Sequence, residues 1–199
     1  MDSTARGARP SAELAILGLL LSSFLLLALA PLVLDDSYSW LEHTTSQAGA
    51  QRVRGAWMAR SGFLLLGLAV LWLAHRRAGR WRQPSTALHA VFGACLAGVA
   101  AFSLRSWDDT VPFDRTEDLL HSVAATAMGL AFAFGIASAR WTWGRRPQLR
   151  TFDVLAIGAS VVLPLAMVAL GEYAGAFQRA MFAIAYVWYA TEVVQAWEL

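Results

Sequence analysis

Lysine is absent from this chain and cysteine occurs once, at Cys95, so sixteen arginines carry all the fixed positive charge. No intramolecular disulfide and no multi-thiolate metal site can be built from one thiol inside an apolar stretch. Charge of either sign is scarce: charged residues make up 15% of the 199, against 57% hydrophobic, and they sit in short bursts between long apolar runs. That pattern excludes a coiled coil, a disordered chain and a basic nucleic-acid surface. A water-soluble globule of this size would be short of polar surface, as the mean hydropathy of +0.48 also indicates. Also missing are a nucleotide-binding loop, a Gly-x-Ser-x-Gly elbow, a redox cysteine pair and a haem-ligand pattern. What is left is a polytopic membrane protein.

A bilayer crossing takes about 20 residues, so six crossings would use about 120 and leave only short connections. Windows poor in charge predict spans at 14–34, 55–74, 84–104, 118–139, 154–171 and 179–199, an all-α transmembrane six-helix bundle forming a single integral membrane domain. Ala28-Leu-Ala30 has the look of a signal-peptide cleavage site, but Pro31 stands directly after it and the apolar run continues through Val33 and Leu34, which favours a retained span. Arg6, Arg9, Arg76, Arg77, Arg80, Arg82, Arg140, Arg145, Arg146 and Arg150 fall on one side of these spans. Arg52, Arg54, Arg60, Arg105, Arg115 and Arg179 fall on the other, together with most of the acids. Retention of basic residues in the cytoplasm then predicts both termini inside and a multi-pass protein of the cell membrane. Tryptophans keep the same spacing, with Trp40, Trp57 and Trp107 near outer boundaries and Trp72, Trp81, Trp141, Trp143 and Trp197 near inner ones.

Helices in lipid associate through small residues. Gly93, Ala97 and Ala101 share one face of the third span, and Ala127, Ala131, Gly135 and Ala139 one face of the fourth, so these two are expected to pack closely. Pro164 is expected to kink the fifth span.

The candidate chemistry lies mostly on the outer side. Residues 35–51 form the longest connection, with a Glu42-His43 pair and a run of hydroxyl residues; it is either a solvated turn or a lid folded back on the bundle, with Ser39, Thr45 and Ser46 available to cap short helical turns. Asp114 and Glu117 have capping-box spacing ahead of the fourth span. His121 falls one turn inside that span and three residues after Asp118, on the same face, where a carboxylate would fix its tautomer. Arg60, Arg105 and Arg179 lie near outer helix ends, and Glu172 follows the fifth span. Together with Glu42, His43, Asp118 and His121 they either lock the helices as ion pairs or hold an anionic lipid head group or small acid. His43, His121 and an acid lack the helical spacing of a metal motif, so no metal is expected. On the inner side, Glu192 interrupts the last span, where an ionised carboxylate costs about 3 kcal/mol and must be protonated or paired. Trp188 and Gln195 share its face, and His89 is the other ionisable group at comparable depth.

Ser46-Gln-x-Gly-Ala, then Ala56-Trp-Met-Ala-Arg-Ser-Gly62-Phe-Leu-Leu-Leu-Gly67, and the stretch from Asp114 to His121 with Ser122 beyond it resemble the domain-of-unknown-function family numbered 998. The resemblance implies a prokaryotic six-span membrane protein with a polar motif after the first span and an acid-to-histidine motif opening the fourth. It implies no reaction. A more distant similarity, to six-span proteins of the Frag1, DRAM and Sfk1 type, implies a lipid-related or regulatory role by analogy alone.

Three functions fit. The first is non-enzymatic binding of a lipid head group or small anion by Glu42, His43, Arg60, Arg105, Glu172 and Arg179. The second is an outward-facing lipid hydrolase or transferase with His121 as general base oriented by Asp118. The third is a proton-coupled transporter using Glu192 and His89. No cofactor is implied, and the expected partners are the bilayer and its lipids, not nucleic acid.

Overall fold

Backbone polar groups in lipid must be satisfied within their own segment, so apolar runs of about twenty residues fold as helices. The computed structural model describes residues 9–140 and 149–195. Among them every regular element is helical: α1 (Arg9–Leu29), α2 (Thr45–Ala48), α3 (Ala56–Arg77), α4 (Gln83–Ala101), α5 (Arg115–Arg140), α6 (Thr151–Ala169) and α7 (Ala174–Val194), with 3-10 turns at Ala30–Val33 and Gly171–Tyr173. Arg6, Trp141, Trp143, Arg145, Arg146 and Trp197, used above for orientation, lie outside the described residues.

Five helices, α1 with its 3-10 extension and α3 to α6, are long and apolar enough to cross a membrane. Their flanks carry exposed Leu21, Leu25, Leu130, Phe134, Val162 and Val168, a surface suited to acyl chains and not to water. The chain is therefore a multi-pass membrane protein. α7 is as long as its neighbours, at 21 residues, but less apolar, since Gln178, Arg179, Thr191 and Glu192 interrupt it. Its position accounts for that composition. Consecutive long helices pack side by side from α1 through α3, α4, α5 and α6 to α7, and α7 closes the ring against α1. Side chains of α7 also reach α3, α4 and α5: Phe182 meets Phe63, Trp188 stacks on His89, and Tyr189 touches Phe92 and Phe132. Trp188, Tyr189 and Glu192 are buried, so polar groups on this helix face protein.

The bundle thus has two distinct ends. A basic end gathers the start of α1, the end of α3, the start of α4, the end of α5, the start of α6 and the end of α7. The opposite, loop end carries residues 34–55 and 102–114 and the start of α7.

Close approach rests on glycine, through the expected face of α5 but not the expected face of α4. Gly93 turns to α3, where a methyl group on it would lie 2.9 Å from the Gly67 carbonyl, and one on Gly67 would lie 2.7 Å from the Gly93 carbonyl. The α4–α5 seam uses Gly135, whose Cα faces the His89 ring, and Gly98 opposite Ala124. So α4 and α5 do pack, but Gly93 serves the other neighbour. Pro164 sits within α6, which continues to Ala169 and buries only Asp153 and Ala156.

Candidate functional site

At the loop end, residues 34–55 fold onto the bundle. Thr44, one residue before the expected caps, closes a capping box: its Oγ1 accepts from the Gln47 amide at 3.1 Å while Gln47 Oε1 accepts from the Thr44 amide at 2.8 Å. Gln51 then ties the two connections together, its Nε2 donating to the Ser103 and Asp114 carbonyls and its Oε1 accepting from the Asp114 amide at 2.6 Å. Gln51 therefore takes the amide that Glu117 would accept in a full capping box. Asp114 still caps α5, accepting from the Thr116 and Glu117 amides, while Glu117 reaches the Ser103 amide.

Of the three arginines expected to bind an anion, Arg60 and Arg179 donate to the folded loop. Arg60 donates through Nε and Nη2 to the carbonyls of Gly49 and Ala50, at 2.9 and 3.0 Å, and so clamps the loop after α2. Arg179 donates through Nη1 to the carbonyls of Trp40 and His43, at 2.6 and 3.0 Å, and through Nη2 to the Tyr38 hydroxyl at 2.6 Å. The Tyr38 hydroxyl in turn donates to the Thr44 carbonyl at 2.9 Å, and burial raises its pKa above the ordinary phenol value despite the nearby guanidinium. These oxygens are all neutral, so among the described residues the charge of Arg179 is held in place without an acid. Gly175 makes this geometry possible: a methyl group there would lie 2.6 Å from the Trp40 carbonyl and closer still to that of His43.

Beside Arg179 a cleft of about 580 Å³ opens between α1 and α7. Its walls are apolar, including Phe24, Leu27, Leu32, Phe182 and Tyr186, and only Thr45 and Arg179 supply polar side chains at its loop end. Thr45 is buried and its hydroxyl has no hydrogen-bond partner. Neither the cleft nor a ligand role for Thr45 stands out in the sequence; the only signal is that small Ala28, Ala180 and Ala183 leave room between bulkier neighbours.

A second, open cavity of about 630 Å³ gathers four of the expected residues, Glu42, His43, Arg105 and Asp118. His43 Nδ1 accepts from the Ser39 amide at 2.9 Å, and its ring stacks on Trp107 with centroids 5.3 Å apart. Burial lowers its pKa below the usual imidazole value, with Glu42 opposing in part. Asp118 accepts from the Arg105 amide at 2.8 Å. His121 does not line this cavity; it is buried behind it, Nδ1 donating to the Phe102 carbonyl at 2.9 Å and Nε2 unpartnered. Glu172 is exposed in the turn before α7.

The basic end holds a denser cluster. Glu192 Oε1 lies 2.7 Å from Arg140 Nη2 and 2.6 Å from Arg150 Nη2, and Oε2 accepts from the Trp81 indole at 3.2 Å. Arg77 donates to the Glu192 carbonyl and stands 3.9 Å from Oε2. Asp153, fully buried, takes both Arg140 and Arg150 and the Trp188 indole at 2.9 Å. Arg150 also reaches Gln195. Glu192 is therefore paired, with three arginines against two carboxylates around it. Asp153 had no distinguishing signal beyond its place in a first helical turn, and the arginines read only as topology markers. His89 lies nearby, Nδ1 against the Tyr189 hydroxyl at 2.9 Å and Nε2 unpartnered. Trp81 touches both His89 and Glu192, and an indole only donates, so among the described residues no donor–acceptor chain joins the two.

Among the described residues no group of three metal-ligating side chains comes together. No curated protein and no solved structure matches the chain. A family model does, over residues 16–194, and the chain accordingly belongs to the family described as protein of unknown function (DUF998).

Proposed function

We propose that this protein binds a membrane lipid at its loop end, with an acyl chain in the α1–α7 cleft and an anionic head group against Arg179 and Thr45. The observation that carries the reading is the pairing of an apolar cleft of lipid-binding size with a guanidinium that has no acid and a buried hydroxyl that has no partner. Guanidinium geometry suits phosphate or carboxylate, and the two N–H groups of Arg179 not used by Trp40, His43 and Tyr38 are available for it. The lipid comes from the leaflet facing the loop end. On this reading α7 is the sixth crossing, shielded from lipid on its polar face. The arginine-rich end, with both termini, lies in the cytoplasm, and the membrane is the cell membrane.

Native mass spectrometry of detergent-extracted protein tests this. Arg179→Gln removes the charge and Ala183→Trp fills the cleft from α7; each is expected to lower the count of co-purifying phospholipids by the one held in the cleft, the second without lowering the melting temperature. Wild-type lipid retention in both variants would overturn the proposal.

A further inference from the structure

At the opposite end of α1 a cavity of about 290 Å³ lies between the first turns of α1 and the last turn of α3. Ile16 and Leu73 form its apolar side, and Glu13, Arg76, Arg77 and Arg80 its polar side, three guanidinium groups against one carboxylate. Glu13 Oε1 accepts from Arg76 Nη2 at 3.2 Å, but Glu13 Oε2 is buried without a partner. Arg77 is buried as well, its Nη2 committed to Glu192, and its Nε is likewise without a partner. Glu13 and Arg77 do not pair with each other. The cavity wall therefore offers an unmet donor and an unmet acceptor under a surplus of positive charge. Buried polar atoms are seldom left so. An inorganic anion lacking protons would answer Arg77 and repel Glu13; a purely cationic group would do the reverse.

We infer that this cavity is a second ligand site, for a phosphate ester that also carries a hydrogen-bond donor, its phosphate on Arg77 and Arg80 and its hydroxyl or ammonium on Glu13. Its level along the bundle suits a lipid head group: Leu14, next to Glu13, and Trp72, next to Leu73, are both exposed, as residues at the edge of the hydrocarbon are. A soluble phosphate ester has the same chemistry, and the test separates the two sources. The inference is independent of the α1–α7 cleft.

The probe is binding to detergent-solubilised full-length protein, read by native mass spectrometry and by thermal shift. Phosphatidylglycerol and phosphatidylethanolamine carry the donor, and phosphatidylcholine, a quaternary ammonium, does not. Glycerol 3-phosphate represents the soluble source. Donor-bearing lipids are expected to bind at least tenfold more tightly than phosphatidylcholine. Arg80→Glu, a change at an exposed side chain, is expected to weaken binding of the donor-bearing lipids at least tenfold while leaving the unliganded melting temperature unchanged. Competition by glycerol 3-phosphate at concentrations that match the lipid assigns the site to a soluble ester; its failure to compete assigns it to the membrane. Ala183→Trp leaves this binding intact, so loss of the cleft reading would not touch it. Equal binding of all three lipids, or an Arg80→Glu variant with wild-type affinity, would overturn the inference.

Discussion

Glu192 and Arg150, 42 residues apart, meet at 2.6 Å with the glutamate side chain almost wholly buried. This contact joins the end of α7 to the start of α6, and Asp153, one turn into α6, holds the same guanidinium. Removing one partner of such a group strands the remaining charges in a low-dielectric interior, at about 3–5 kcal/mol. Glu192→Gln and Asp153→Asn are each expected to destabilise the protein by that order, measured by denaturant or thermal unfolding in detergent. Because the two acids share Arg140 and Arg150, the double variant should lose less than the sum of the singles. Additive losses would show that the two act separately.

The loop end depends on one missing side chain. Gly175 gives its amide to the Glu42 carbonyl at 3.1 Å and lets the Trp40 and His43 carbonyls reach Arg179. Gly175→Ala must push that backbone away, so trypsin should cleave at Arg52 and Arg54 faster in this variant than in the wild type. The ordinary case of a surface helix start, where Gly to Ala stabilises, predicts the opposite sign.

His43 makes the same loop sensitive to acid. Its Nδ1 accepts from the Ser39 amide, which only the neutral ring can do, and burial holds its pKa below the free value. A group whose folded pKa is depressed in this way, here a base kept neutral, contributes its stability in full above the unfolded pKa, about 6.5 for histidine, and loses it as the pH falls through the folded value. The emission of Trp107, stacked on this ring, is expected to change as the pH falls below the free imidazole value. The change should vanish in His43→Asn. Identical titrations of the two proteins would assign it to another group.

Much of the fold was legible in the sequence because a lipid environment leaves few choices: an apolar run of span length must be helical, and five of the long helices announce themselves that way. α7 carries charge in its last third because its neighbours, not lipid, surround Trp188 and Glu192. The site was read less well, for a specific reason. Arg60 and Arg179 sit near the outer helix ends, yet backbone carbonyls of the folded loop claim two N–H groups of each, which no residue pattern encodes. Conversely, Arg140 and Arg150 read as solvated markers of topology, and only the ring order of the helices turns them onto Glu192 and Asp153.

The α3–α4 seam gives a stability prediction free of charge effects. A side chain at Gly93 meets Leu71 at 2.8 Å and the Gly67 carbonyl at 2.9 Å. Gly93→Val must separate the two helices and is expected to lower the melting temperature sharply. Gly129, with open space around it, should accept valine at the small cost of helix propensity.

The most direct test of lipid binding is photocrosslinking with a phospholipid carrying a diazirine at mid-chain, incorporated in membranes before extraction, with adducts mapped by peptide mass spectrometry. The α1–α7 cleft predicts adducts concentrated on the peptides holding Ala28, Ala180 and Ala183 and depleted there by Arg179→Gln. Adducts distributed in simple proportion to exposure, heaviest on the lipid-facing side of α6 around Val161 and Leu165, and indifferent to Arg179→Gln would contradict it.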